Sequence, residues 1–196
     1  YWSSFLVADP AEAWVLETSG QAWAAEWVGD TRAISNRTTI PDFDAEHRHP
    51  KQPVATLVDP RLEASRAVLA AEPVELDAVK AHLRSHVGGE DGWTVCMHVP
   101  DVEATTASMV AELPAGPRPR ASVLLGSPCT SVFVPLFVGR PLGTPVAWER
   151  FAALGAEHRG ALDELEASLV ADAVDDDDWN AEAWRRVEEC LGSLGV

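Results

Sequence analysis

The sequence predicts an α+β fold, in which antiparallel sheets and helices occupy separate blocks of the chain. Strand-like segments fill residues 1–40 and 93–138, whereas helical patterns fill residues 60–88 and 144–196. Such blocks are typical of α+β proteins, because a parallel sheet needs strands and helices that alternate along the chain. Neither a GxGxxG sequence nor a P-loop occurs, so the common nucleotide-binding folds find no support. We expect one domain over residues 1–196.

Three short apolar runs open the chain and predict an antiparallel meander. They cover residues 3–8, 12–18 and 21–28. The dipeptides Asp9-Pro10 and Ser19-Gly20 separate the runs, and both are common in tight turns. Trp14 and Leu16 lie on one side of the second strand, and Trp23, Ala25 and Trp27 lie on one side of the third, as expected for strands with an apolar face. Residues 31–35 are predicted to continue the meander and to end at Asn36.

A loop and two helices are predicted next. Residues 41–60 mix proline, histidine and charge without a period, which indicates a long surface loop. Residues 60–71 favour a helix that starts with Asp59 as its N-cap and Pro60 at its first position. Residues 75–87 carry apolar side chains at helical spacing, and Gly88-Gly89 should end that helix.

The second half repeats the order of strands followed by helices. Strands are expected at residues 93–99, 105–113 and 121–138. Residues 145–173 have leucines at helical spacing and predict one long helix. The acidic run Asp175–Asp178 should then cap a final helix over residues 179–192.

Composition excludes several classes of function. A net charge of −16 argues against a surface that binds nucleic acid through its phosphates. No apolar run approaches the roughly 20 residues that a membrane-spanning helix needs, and no signal segment opens the chain. Cys96, Cys129 and Cys190 are far apart and odd in number, which favours a reducing, cytoplasmic setting over a disulfide framework.

The residues alone do not assemble a complete catalytic or metal-binding set. His82 and His86 are four residues apart on a predicted helix, but the glutamate of an HExxH zinc site is missing, so a solvated helix face is expected. Cys96 and His98 would share one face of a strand, where a buried thiol is as reasonable as a reactive one. Cys129 has no histidine near it in sequence. We therefore expect neither a metal nor another cofactor.

Four segments carry a more specific signal. They read SSFLVADPAEAWVLETSGQAWAAEWV, RAISNRTTI, GWTVCMHVPDVEATTASMVAEL and GSPCTSVFVPLFV, in this order across residues 3–138. Together they resemble the secernin and dipeptidase family of cysteine hydrolases, which belongs to the N-terminal-nucleophile (Ntn) hydrolases. The resemblance implies a partial αββα sandwich with antiparallel sheets, and hydrolysis of small peptides.

The resemblance also implies roles for individual residues. In this family the nucleophile is a cysteine that begins the mature chain, and its own α-amino group acts as the base. Asn36 matches the strand-end asparagine that supports the reacting centre, through either the amino group or the oxyanion. An ordinary turn-forming asparagine is the competing interpretation. His98, Thr105 and Thr106 match positions that line the substrate cleft.

The family's catalytic start has no counterpart in these residues. Tyr1 cannot supply the nucleophile, and the three cysteines are internal. We therefore expect the chain to be the C-terminal portion of a longer dipeptidase or amidohydrolase, inactive alone, whose partners are a small peptide substrate and its own N-terminal segment. Whether the chain forms a homo-oligomer is left open. The alternative is a non-catalytic binding or scaffold domain on the same fold. An incomplete sheet should expose an unpaired edge or an apolar face.

Overall fold

The computed structural model describes residues 2–20 and 22–196, which form two compact units. The first unit covers residues 1–95 and the second covers residues 96–196. Each unit combines antiparallel strands with helices, so the predicted α+β class is confirmed. The single domain expected over the whole chain stays a prediction, and the units are described one at a time.

The first unit begins with the predicted meander. Its strands are β1 (Trp2–Ala8), β2 (Ala13–Ser19) and β3 (Ala22–Trp27), and they pair antiparallel in the order β1-β2-β3. The register places Ser19 opposite Ala22, and Gly20 between them has a positive φ of 57°. Glycine adopts this left-handed conformation at little cost, which explains its position in the turn. Gln21 lies outside the described residues.

The two faces of this sheet differ in what covers them. On one face, strand pairing aligns Trp14 with Trp27 and Thr18 with Trp23, and the indole of Trp23 remains 69% exposed. The opposite face carries Val15 and Glu17, which are both fully buried. An exposed apolar face on one sheet was expected from the sequence, and this sheet has one.

The predicted fourth strand at residues 31–35 does not form. Residues 31–34 have no regular secondary structure, and Ser35 and Arg37 make only an isolated bridge around Asn36. The physical reason lies in the hydrogen bonds that follow. The backbone N–H groups of Thr39 and Ile40 donate to a side chain of β2 instead of to a neighbouring strand.

Helices occupy the rest of the first unit. They are α1 (Pro41–His47), a π-helical turn (Val54–Val58), α2 (Asp59–Leu69) and α3 (Leu76–Leu83). The predicted loop over residues 41–60 is therefore wrong. Pro41 presets the helical φ of the first turn, the acidic Asp42 and Asp44 suit the positive end of the helix dipole, and Phe43 is buried.

Two helix boundaries also differ from the prediction. Asp59 is the first residue of α2 rather than its N-cap, because the π-helical turn leads directly into the helix. The following helix, α3, ends at Leu83 instead of at Gly88-Gly89. Ser85 accounts for this early end, since its hydroxyl and its N–H both donate to the carbonyl of His82 and close the last turn.

The second unit contains a hairpin and a three-stranded sheet. The hairpin pairs β4 (His98–Val99) with β5 (Glu103–Ala104), and the sheet has the order β6 (Ala107–Glu112), β7 (Arg120–Leu125) and β8 (Val134–Phe137). The strand predicted at residues 93–99 is reduced to its last two residues. The backbone of this segment does not pair with one continuous strand. The Val95 N–H donates to the Val87 carbonyl, whereas the Met97 N–H donates to the Thr105 hydroxyl.

The single helix predicted at residues 145–173 is interrupted. The structure has α4 (Trp148–Ala152), a 3₁₀ turn (Ala156–His158) and α5 (Arg159–Asp172) in its place. Gly155 separates them in an extended conformation with ψ 178°, and glycine is a poor residue for a helix interior. The final helix is confirmed as α6 (Trp179–Ser193). Its first N–H groups are capped by Asp176, one member of the predicted acidic run.

One hydrophobic core holds the second unit together. Helices α5 and α6 pack on one face of the sheet, where Val134 and Leu136 of β8 meet Leu162, Leu169 and Val187 of the two helices. The Trp179 indole N–H donates to the carbonyl of Pro135 at 2.7 Å, so this large side chain is buried without an unsatisfied donor. Among the described residues, no helix has both the length and the apolar character needed to cross a membrane.

The packing of this core predicts the effect of one substitution. Leu169 is fully buried between the helices and the sheet, so Leu169→Ala should lower the free energy of unfolding by about 2–5 kcal/mol. Urea unfolding followed by circular dichroism measures this loss. Leu142→Ala is the matched control, because Leu142 is 54% exposed and its change should stay within about 0.5 kcal/mol. Equal losses in the two variants would contradict the assignment of Leu169 to the core.

Candidate functional site

The first unit contains a cavity of about 760 Å³ beside the open edge of its sheet. Residues 2–5 of β1 form one wall, and residues 35–38 form another, together with His49 and Gln52. β1 is an edge strand, and no further strand pairs with its outer side among residues 2–20 and 22–196. The cavity therefore combines exposed strand backbone with hydroxyl, amide and aromatic side chains.

Glu17 holds the loop that forms the second wall. Its carboxylate is completely buried on the central strand β2 and accepts four hydrogen bonds from two residues. The Thr39 N–H donates to both oxygens at 2.7 Å, the Thr39 hydroxyl donates at 2.7 Å, and the Ile40 N–H donates at 3.0 Å. A buried carboxylate is costly unless such donors satisfy it, so this interaction determines where the loop lies on the sheet.

The loop makes a tight turn whose tip is Asn36. Arg37 N–H donates to the carbonyl of Ser35 at 2.7 Å, which closes the chain around a single residue. The Ser4 hydroxyl of β1 donates to the Arg37 carbonyl at 3.1 Å and attaches the turn to the sheet edge. Asn36 is thus a turn residue and a cavity-lining residue at once, and the two interpretations of it are compatible.

The side-chain amide of Asn36 has a defined orientation. The Arg61 guanidinium of α2 donates to Asn36 Oδ1 at 3.2 Å, and Gln52 Nε2 donates to the Asn36 carbonyl. Because a guanidinium cannot accept a hydrogen bond, the atom that faces Arg61 must be the amide oxygen. The Asn36 NH₂ group then donates to no partner among the described residues, and the side chain is exposed beside the cavity.

Partly buried ion pairs hold the other side of the turn. Arg37 donates to Asp59 at 2.6 Å and to Asp44 at 2.8 Å, and the Thr38 hydroxyl donates to Asp44 at 2.6 Å. Burial alone would raise the pKa of Asp44, but hydrogen bonds from Arg48 and Thr38 and the charge of Arg37 outweigh it and hold that pKa below its ordinary value. These contacts therefore stabilise the turn fully above the ordinary pKa of an aspartate and lose that contribution as the pH falls through the lowered value.

Aromatic contacts complete the wall at the start of β1. The Trp2 indole N–H donates to the carbonyl of His47 at 2.7 Å, and the Trp2 ring meets His49 edge-on with 4.6 Å between the ring centroids. The region that the sequence predicted as a loop thus supplies part of the cavity. His82 lies elsewhere, where it shares a 2.9 Å hydrogen bond with Ser65 and where burial lowers its pKa. α3 ends before His86, so the two histidines do not share a helix face.

The other predicted site residues lie in the second unit. Thr105 is half-buried, and all three of its polar groups make hydrogen bonds. Its N–H donates to the Met97 carbonyl, and its hydroxyl accepts from the Met97 N–H. Its carbonyl accepts from the Ser127 hydroxyl. Thr106 is exposed, and its carbonyl accepts from Gly126 N–H at 2.8 Å. The structure therefore gives both threonines a role in local backbone geometry, and their contact with substrate stays a prediction.

His98 lies between two thiols. Its Nε2 is 3.3 Å from Cys96 Sγ and 3.2 Å from Cys129 Sγ. Cys96 is fully buried, whereas Cys129 is half-buried in a 3₁₀ turn (Pro128–Thr130). Burial, the largest effect, and the neighbouring Cys129 thiol raise the pKa of Cys96 and outweigh a hydrogen bond from the Cys129 backbone that lowers it, so the reactive thiolate form is disfavoured.

Sequence reasoning missed Cys129 because its histidine is 31 residues away. The short spacing of Cys96 and His98 indicated half of the cluster, but no local pattern connects it to the turn that carries Cys129. Comparison with known proteins adds no assignment, since no family model matches the chain and no solved structure matches it significantly.

The role of Glu17 is testable by an isosteric change. Glu17→Gln removes the charge and turns an NH₂ group toward backbone donors, so the variant should lose about 2 kcal/mol of unfolding free energy or more. Urea unfolding followed by tryptophan fluorescence measures it. Glu46→Gln is the control, since Glu46 is exposed on α1 and its change should be within about 0.5 kcal/mol. A Glu17→Gln variant as stable as this control would contradict the proposed hold on the loop.

Proposed function

We propose that the chain is the C-terminal portion of a secernin-like cysteine hydrolase that cleaves small peptide amide bonds in the cytoplasm. In this proposal Asn36 is the catalytic residue within these 196 residues, and its amide NH₂ donates to the oxyanion of the tetrahedral intermediate. The observation that carries the proposal is the placement of this donor beside a cavity, with its orientation set by Arg61 and by the loop that Glu17 holds.

The architecture of each unit supports an αββα arrangement of the Ntn type. In the second unit, helices α5 and α6 cover one face of an antiparallel sheet. In the first unit, the face with Val15 and Glu17 is buried while the tryptophan-rich face is exposed. Each unit thus resembles one sheet-and-helix half of a layered sandwich, in which an apolar sheet face packs against another layer.

An oxyanion role suits an asparagine at this position. An amide donates without carrying a charge, so it stabilises developing negative charge without perturbing the pKa of a nearby base. Arg61 occupies the oxygen of the amide, which leaves the donor end for a substrate. Preorganised donors of this kind are effective because they need no rearrangement when the intermediate forms.

The rest of the cavity fits an extended peptide. The open edge of β1 offers backbone donors and acceptors to a peptide that adds as a further strand. Trp2 and Phe5 supply apolar contacts, while Ser3 and Gln52 supply polar ones. His98, Thr105 and Thr106 are proposed as further substrate-contacting residues on the resemblance alone.

The nucleophile in this proposal comes from outside residues 1–196. An Ntn mechanism needs a cysteine with a free α-amino group, and Cys96, Cys129 and Cys190 are all internal. Burial also raises the pKa of the Cys96 thiol, which disfavours the thiolate that the attack would need. The thiolate of the N-terminal cysteine would attack the amide carbonyl, and water would hydrolyse the resulting acyl-enzyme.

The test uses the complete protein encoded by the reading frame that contains this chain, assayed on a panel of dipeptides. Asn36→Asp keeps the turn-forming character and the oxygen that accepts from Arg61, but it removes the NH₂ donor. We expect kcat/KM to fall about 100- to 1,000-fold, the loss typical of a missing oxyanion donor. Asn36→Gly, which also permits the turn, should lose as much.

The control is Glu46→Gln, which changes an exposed side chain of α1 that does not line the cavity and does not contact Asn36. Its kcat should stay within about tenfold of the wild type. Near-normal turnover by Asn36→Asp would return this residue to the role of a turn former. A complete protein without turnover on any dipeptide would favour the alternative, a binding or scaffold domain on the same fold.

A further inference from the structure

We propose that Cys96, His98 and Cys129 form a zinc-binding site in the second unit. This inference goes beyond the hydrolase proposal, does not depend on it, and assigns His98 to a metal rather than to a substrate. Two thiols and an imidazole converge here from separate segments of the chain. The three ligand atoms lie within 4.8 Å of one another.

The distances fit a tetrahedral ion. With Zn–S bonds of about 2.3 Å and Zn–N bonds of about 2.0 Å, sulfur and nitrogen ligands of tetrahedral zinc are about 3.5 Å apart. The two observed sulfur-to-nitrogen separations are 3.3 and 3.2 Å. Each of the two sulfur-to-nitrogen separations is therefore within a few tenths of an ångström of the value that tetrahedral zinc requires.

The backbone around the ligands is held in place before any ion binds. Thr105 exchanges two hydrogen bonds with Met97, the residue between Cys96 and His98. The carbonyl of Thr105 also accepts from the Ser127 hydroxyl at 3.1 Å, and Ser127 leads into the turn that carries Cys129. One residue thus holds both ligand segments, and such outer contacts orient the ligands of metal sites.

The ligand types select the metal. Thiolate and imidazole are the ligands of zinc, whereas calcium and magnesium require oxygen. On binding, each thiol loses its proton to solvent, and the two thiolates balance the charge of the dication. A disulfide between Cys96 and Cys129 is the other arrangement that nearby thiols permit, but it gives no role to the imidazole nitrogen that lies within 3.3 Å of both sulfurs.

The site would act as a cross-link. It would join the segment that leads into the β4–β5 hairpin to the 3₁₀ turn before β8. Metal bound to the native state alone stabilises it in proportion to the logarithm of metal concentration. Zinc should therefore raise the melting temperature of the chain.

The experiment is a metal titration of the full 196-residue chain, purified under reducing conditions and freed of metal. We expect one zinc ion per chain and a cobalt complex with thiolate charge-transfer absorption. Cys129→Ser and His98→Gln alter partly exposed positions and should still fold. Each substitution should weaken zinc affinity on the order of 100-fold, because losing a direct ligand costs at least as much affinity as losing a residue that hydrogen-bonds a ligand.

Cys190→Ser is the matched control, because Cys190 is a half-buried free thiol on α6 outside the cluster. It should bind zinc as the wild type does. Wild-type protein that binds no zinc after reduction would overturn the proposal. The same holds if the reduced protein binds no zinc and mass spectrometry of oxidised samples detects a Cys96–Cys129 disulfide. Zinc binding that survives unchanged in both Cys129→Ser and His98→Gln would also overturn it.

Discussion

A buried carboxylate on a central strand is the interaction on which the cavity depends. Glu17 is fully buried, so it stays in the sheet only because Thr39 and Ile40 bring hydrogen-bond donors to it. These backbone N–H groups are therefore not available to a neighbouring strand, and the chain turns at Asn36 just before them. A single buried carboxylate therefore fixes the position of the loop that follows the asparagine.

The second unit uses side chains for backbone geometry in a similar way. The Thr105 hydroxyl replaces a ladder partner for Met97 N–H, and its carbonyl holds the segment before Cys129. In both units a polar side chain positions a neighbouring segment: Glu17 holds residues 39–40, and Thr105, a candidate cleft residue from the sequence, holds Met97. Asn36 and the thiol–imidazole cluster then remain as the groups with chemistry to perform.

The sequence predicted the strands whose signal is local. The alternation of β2 and β3 and the leucine spacing of α5 depend on the burial of neighbouring faces. The two strands form as expected, and α5 forms over the second half of the helix predicted at residues 145–173. The predictions fail where a residue that is distant in the sequence determines the local structure. Nothing within residues 31–35 indicates that Glu17 will take the next donors, and the interruption at Gly155 depends on a conformation that spacing does not encode. The resemblance to the cysteine hydrolases indicated Asn36 as a site residue. The contact between Cys129 and His98 is evident only in the three-dimensional structure.

The most direct test of the account is residue-resolved amide hydrogen exchange in the intact chain, measured by NMR. Thr39 and Ile40 lie outside any strand, so their amides exchange slowly only if the Glu17 carboxylate holds them. The account predicts protection at these two residues comparable to that of β2. Exchange as fast as at the exposed Asp30 and Thr31 would contradict it, because the turn that presents Asn36 would then have no fixed support.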